Sequence, residues 1–173
     1  MSWFDRTRLA LACVSLAGLA GCFQPLYSEG AHPGINEAMK EIEVVPIKER
    51  IGAYLADDLI TNLNGTGETL KPKYRLTVTL TQSTQTPTIS SQIGIASSVT
   101  LIENAEITLL NIDKGDLIFK GQAQSAAPYD RSFDSYANLR ASRDAELRLA
   151  RSLALEIESR VAAALAAKMN PGG

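Results

Sequence analysis

The sequence predicts an α+β two-layer sandwich: a four-stranded mixed sheet with two helices on one face, in the order β-α-β-β-β-α. Three observations predict it. Tyr74, Leu76, Val78 and Leu80 alternate with Arg75, Thr77, Thr79 and Thr81, the period of a strand covered on one side only. Ile51, Leu55, Leu59 and Leu63 recur every four residues and make one helical stripe. A second stripe runs through Leu139, Leu147, Ala150, Leu153, Ala154, Ile157, Val161, Ala164 and Leu165. Two one-sided helices and a one-sided sheet bury their apolar surfaces against each other.

The elements follow in chain order. Ile42, Val44 and Val45 mark a short strand within Glu41–Ile47, ended by Pro46. A helix is expected from Glu49 to Asn64, stopped by Gly65 in the left-handed conformation. Lys73–Gln85 is the clearest strand. A polar connection, Thr86 to Ser97, leads to a second long strand, Val99–Ile112. There Glu103 falls in line with Val99, Leu101 and Ile107, and a bulge near Asn104 and Ala105 would turn it away from the core. Asp113-Lys114-Gly115 reads as a hairpin turn. The chain returns over Asp116–Ala126, with Leu117, Phe119, Gly121 and Ala123 inward and Lys120, Gln122 and Gln124 outward. The last helix runs from about Ser135 to Lys168. The first strand is separated from the second by a helix and so can pair in parallel; the later three form an antiparallel meander.

The N-terminus has a separate logic. Arg6 and Arg8 precede an apolar run from Leu9 to Gly18, the layout of an export signal and too short for a spanning helix. Leu19-Ala20-Gly21-Cys22 resembles a bacterial lipobox, in which the chain is cut before the cysteine and acylated on it. The run before Cys13 is too short for that role. Residues 1–21 are therefore expected to be a lipoprotein signal peptide, 22–40 a lipidated linker, 41–168 one domain and 169–173 a frayed end. Phe23 is not the Asp that retains similar lipoproteins at the inner membrane, which favours the outer membrane.

Charge and composition exclude several function classes. The net charge is −2, and −3 once Asp5, Arg6 and Arg8 are removed with the signal. That balance excludes nucleic-acid binding by bulk charge. Cys22 is the only cysteine after the signal, so no disulfide framework is available. The single histidine, His32, stands among linker residues. No spacing of Cys and His points to a metal, and no catalytic group has a base beside it in sequence. Asp57-Asp58 reads as a solvated helix face, and Gly65-x-Gly67 lacks the flanking strand and helix of a phosphate loop. No enzyme, catalytic residue or cofactor is expected.

The stretch Gly21-Cys22-Phe23-Gln24-Pro25-Leu26-Tyr27, the strand and helix order, and the segment from Ala127 to Ile157 together resemble the lipopolysaccharide-assembly lipoprotein family LptE. The resemblance implies a non-enzymatic partner of an LptD-like outer-membrane β-barrel. Such a lipoprotein plugs the barrel, helps assemble it and binds lipopolysaccharide. In that family basic residues in the loop after the second strand and at the start of the last helix meet the lipid. Thr86 to Ser97 holds no Lys or Arg, so Arg131, Arg140 and Arg143 are the expected lipopolysaccharide-binding residues. Ile89, Ile93 and Ile95, apolar within a polar connection, and Leu155, about 160° from its helix stripe, are the expected barrel contacts. The alternative is an auxiliary lipoprotein of a lipid-transport ABC system.

Overall fold

The computed structural model describes residues 34–65, 71–86 and 98–169. Cys22, Ile89, Ile93 and Ile95 lie outside the described residues. The described chain runs α1 (Ile35–Lys40), β1 (Ile42–Val44), α2 (Glu49–Leu63), β2 (Tyr74–Gln85), β3 (Ser98–Asn111), β4 (Leu117–Asp130) and α3 (Ser135–Met169). The sheet order is β1-β2-β3-β4, with β1 parallel to β2 and the other pairs antiparallel. The helices pack on one side, as the patterning predicts.

There is one helix more than predicted. Residues 22–40 were expected to be a linker, but Ile35–Lys40 forms α1, whose Ile35, Ala38 and Met39 are buried. These three positions share a helical face. Six residues are too few to show a period, so the sequence does not reveal the helix.

The α2 stripe is as read: Ile51, Leu55, Leu59 and Leu63 are buried. Gly65 closes the helix at φ +71°, and its N–H, like that of Asn64, donates to the Ile60 carbonyl. The Asp113–Gly115 turn also forms. Gly115 sits at φ +69°, and the Asn111 side chain accepts from the Lys114 N–H at 2.9 Å.

The bulge is the main correction. β2 and β3 pair in continuous register from Tyr74↔Asn111 to Gln85↔Thr100, with no irregularity at Asn104 or Ala105. Glu103 stays in the inward series and is fully buried. The irregularity lies instead where Leu109↔Phe119 is followed by Leu110↔Leu117, so that Ile118 is the extra residue. One extra residue reverses the side of the next one. Leu117, expected inward, is therefore 54% exposed.

On α3 the core stripe is Leu149, Ala150, Leu153, Ala154, Ile157, Val161 and Leu165. Leu139 and Leu147 were expected on it, but both are exposed. Leu139 is in rotational line with Ile157, yet no residue from Ser135 to Asp144 is buried. The first turns of the helix run beyond what the sheet and α2 can cover.

Candidate functional site

Two surfaces carry the candidate residues. The first is the sheet face opposite the helices. Strand register stacks its side chains into rows: Thr77, Thr108 and Lys120; Thr79, Glu106 and Gln122; Thr81, Asn104 and Gln124. In the third row Gln124 donates to Asn104 Oδ1 at 2.7 Å. Seven of these nine positions are neutral hydrogen-bonding groups; Lys120 and Glu106 are the charged ones. No helix covers this face among the described residues.

The second surface is the uncovered start of α3. Asp134 caps the helix, its Oδ1 accepting from the N–H groups of Tyr136 at 2.8 Å and Ala137 at 3.3 Å. Ser132 and Asn138 tie the preceding turn to the helix through Ser132 N–H to Asn138 Oδ1 at 2.7 Å and Asn138 Nδ2 to the Ser132 carbonyl at 2.8 Å. Phe133 is thereby held outward and is 78% exposed. At 100° per residue, Tyr136, Leu139, Arg140, Arg143 and Leu147 fall on one face, and all five are exposed. Arg131 is exposed one turn before. Arg131, Arg140 and Arg143 make no ion pair among the described residues, whereas Arg148 is held by Asp144 and Arg160 by Glu156. Free guanidinium groups beside aromatic and aliphatic side chains can bind an anionic amphiphile, the cation meeting the headgroup and the apolar groups meeting the chains.

Sequence reasoning found the arginines but not their apolar neighbours. Phe133 and Tyr136 flank a capping Asp, a signal readable in Phe133-Asp134-Ser135-Tyr136; Leu139 and Leu147 were assigned to the core. Leu155 is 62% exposed, as its position off the stripe requires. It lies on another side of α3, at least two turns farther along, and does not join the arginine face.

The buried interior holds one unusual group. Glu103 is 0% exposed, and neither carboxylate oxygen has a hydrogen-bond partner. Burial first, then the negative Glu49, push its pKa up to about 7; Gln82 opposes this, and Glu146 adds a smaller push upward. Among the described residues no group of three or more His, Cys, Asp or Glu could hold a metal ion. No described helix is long and apolar enough to cross a membrane.

No family model and no curated protein matches the chain. Solved structures do. This fold recurs in two proteins described as lipoproteins. One, from Caulobacter crescentus CB15, is 25% identical, with a TM-score of 0.61 over 78% of this chain and 97% of its own. The other, a minor lipoprotein from Acinetobacter baumannii, is 17% identical, with a TM-score of 0.54 over 72% of this chain and 92% of its own. The second likeness is one of fold alone. The first likeness spans nearly the whole of the solved counterpart chain.

Proposed function

We propose that the chain is a lipoprotein acylated on Cys22, anchored in the outer membrane, which sits in the lumen of an LptD-like β-barrel and assists its assembly for lipopolysaccharide transport. The observation that carries this reading is the uncovered sheet face with its rows of Thr, Gln and Asn. Large barrels have polar interiors. A surface that docks there must be polar and yet give up its water at low cost, which neutral amides and hydroxyls do and unpaired charges do not. The lipoprotein neighbours and the lipobox-like Cys22 support the anchor. The face of Arg131, Arg140 and Arg143 with Phe133 and Tyr136 supports a role in holding lipopolysaccharide.

Co-purification in mild detergent tests the reading. A stable complex with a large outer-membrane barrel supports it. A complex with an inner-membrane transporter instead favours an auxiliary lipoprotein of a lipid-transport ABC system. Photo-crosslinking from Leu155, Ile89, Ile93 and Ile95 in intact cells locates the contact; a folded, correctly localised protein that captures no barrel from any of the four rejects the lumen position.

A further inference from the structure

β2 is much longer than its neighbour β1. β1 pairs only with Tyr74, Arg75 and Leu76. From Thr77 to Gln85 the other edge of β2 has no strand beside it among the described residues, and no further hydrogen bond involves these residues. The direction of the backbone groups follows from three bonds. Tyr74 N–H donates to Glu41 and the Leu76 carbonyl accepts from Val45, both on the β1 side, while the Lys73 carbonyl accepts from Ile112 on the β3 side. Backbone groups alternate along a strand. Val78, Leu80, Gln82 and Thr84 therefore present their N–H and C=O groups to the open edge, and Thr79, Thr81 and Ser83 present theirs to β3.

An open edge is ordinarily blunted by Lys, Pro or a bulge. The far edge of this sheet is treated so. β4 carries Lys120, the irregularity at Ile118 and Pro128, whose carbonyl is taken by Arg148 Nη2 at 2.9 Å. Thr77–Gln85 has no charge, no proline and no bulge. Beside its first half lies a recess of about 290 Å³, in which the apolar Pro46, Ile47, Val78 and Leu80 share the lining with Lys48, Glu49, Thr77 and Thr79.

We propose that the open edge of β2, from Val78 to Thr84, is a strand-addition site for an extended segment of another polypeptide. An apolar side chain of that segment seats in the recess between Pro46, Ile47, Val78 and Leu80. Row upon row of unmet N–H and C=O groups calls for a peptide backbone, which no lipid or sugar matches in spacing. A second copy of this chain is the poorer occupant. Two-fold pairing of Thr77–Gln85 with itself sets Thr84 against Val78 and Gln82 against Leu80, so no apolar side chain would be offered to Pro46 and Ile47. The inference does not rest on the barrel reading: that reading uses the outward side chains of Thr77, Thr79 and Thr81, and this one uses the backbone groups along the strand's open edge.

The test selects binders to the purified full chain from a display library of random peptides about eight residues long, then follows amide hydrogen exchange by NMR. Before peptide is added, the amides of Val78, Leu80, Gln82 and Thr84 should exchange fast, and those of Thr79, Thr81 and Ser83 slowly. Selected peptides should alternate apolar and polar residues and slow the first four amides alone. Gln82→Pro removes an outward N–H without touching the β3 ladder and should weaken binding roughly tenfold or more, while Gln82→Thr binds normally. Thr84→Pro, nearer the strand end, serves the same purpose if Gln82→Pro does not fold. The proposal is overturned if no alternating peptide is selected, if the four amides are unmoved by bound peptide, or if they are already protected without it, in a monomer or through self-association.

Discussion

Arg50 on α2 grips Glu146 on α3 with two parallel bonds, Nε to Oε2 at 2.8 Å and Nη2 to Oε1 at 2.6 Å. The pair is unequal in burial: the arginine side chain is half exposed and the carboxylate is 11% exposed. The bidentate contact raises the Arg50 pKa above its ordinary value, through the hydrogen bond first and the charge of Glu146 second. Removing the arginine strands a nearly buried carboxylate next to a second one, Glu103. Losing one partner of a fully buried pair costs about 3–5 kcal/mol; with Arg50 half in water we expect Arg50→Ala to cost roughly 1–3 kcal/mol. Chemical denaturation measures it. The double variant Arg50→Ala, Glu146→Gln should recover much of the loss, because the stranded charge is then gone.

Glu103 makes the stability depend on pH with an unusual sign. A carboxyl whose pKa rises from an ordinary 4.5 to about 7 on folding binds protons better in the folded state. Its contribution is favourable below about pH 4.5 and is lost as pH rises through about 7. The charged and polar groups around it are Glu49, Glu146, which is paired with Arg50, and Gln82 directly opposite on β2. Glu103→Gln should therefore stabilise the protein by on the order of 1–3 kcal/mol at pH 8 and by little at pH 5. Melting curves across that range check it; a Glu103→Gln protein with the unaltered pH slope would remove Glu103 as its source.

Gly52 lies where the connection after β1 crosses the first turn of α2. A Cβ there would stand 2.7 Å from Ile47 Cγ2 and 3.0 Å from the Ile47 carbonyl carbon and oxygen. The side chain can rotate away, but the backbone cannot. Alanine is normally the better helix residue, by about 1 kcal/mol, yet here Gly52→Ala should destabilise by about 1–3 kcal/mol from overpacking. A rise in melting temperature would contradict that close approach.

The parts of this fold that repeat were legible in the sequence. β2 alternates, α2 repeats every four residues, and Asn64-Gly65 and Asp113–Gly115 carry their own turn chemistry. What failed did so because burial depends on the covering element. Leu139 has the rotation of a core residue but nothing beneath it. Glu103 has the charge of a surface residue, and its place in an inward series predicts a bulge that the register does not contain. Its surroundings in the core are groups remote in sequence, Glu49 and Glu146 among them. The true bulge, at Ile118, left no mark in a segment where either parity places an apolar residue inward. Of the candidate site, the arginines came from the family resemblance, and Leu155 was legible as an exception to a pattern. The open edge of β2 was not, since it results from β1 stopping after three residues.

The arginine face of α3 yields the last prediction. Arg131, Arg140 and Arg143 have no acidic partner among the described residues, and Phe133, Tyr136, Leu139 and Leu147 stand exposed among them. If the face binds an anionic amphiphile, charge and apolar contact act together, and each can be removed separately. Replacing the three arginines with Glu should reduce lipopolysaccharide binding by at least about tenfold, corresponding to about 1.4 kcal/mol or more, with the sharper loss at low salt, where exposed charges act at longer range. Phe133→Ser with Tyr136→Ser should weaken binding at every salt concentration. Because neither set touches the core, the melting temperature should hardly change; exposed substitutions usually shift stability by no more than about 0.5 kcal/mol. Lipopolysaccharide binding measured against salt for the parent and both variants decides the matter. Unchanged binding by the triple-Glu protein, at constant stability, would return these arginines to an ordinary solvated helix surface.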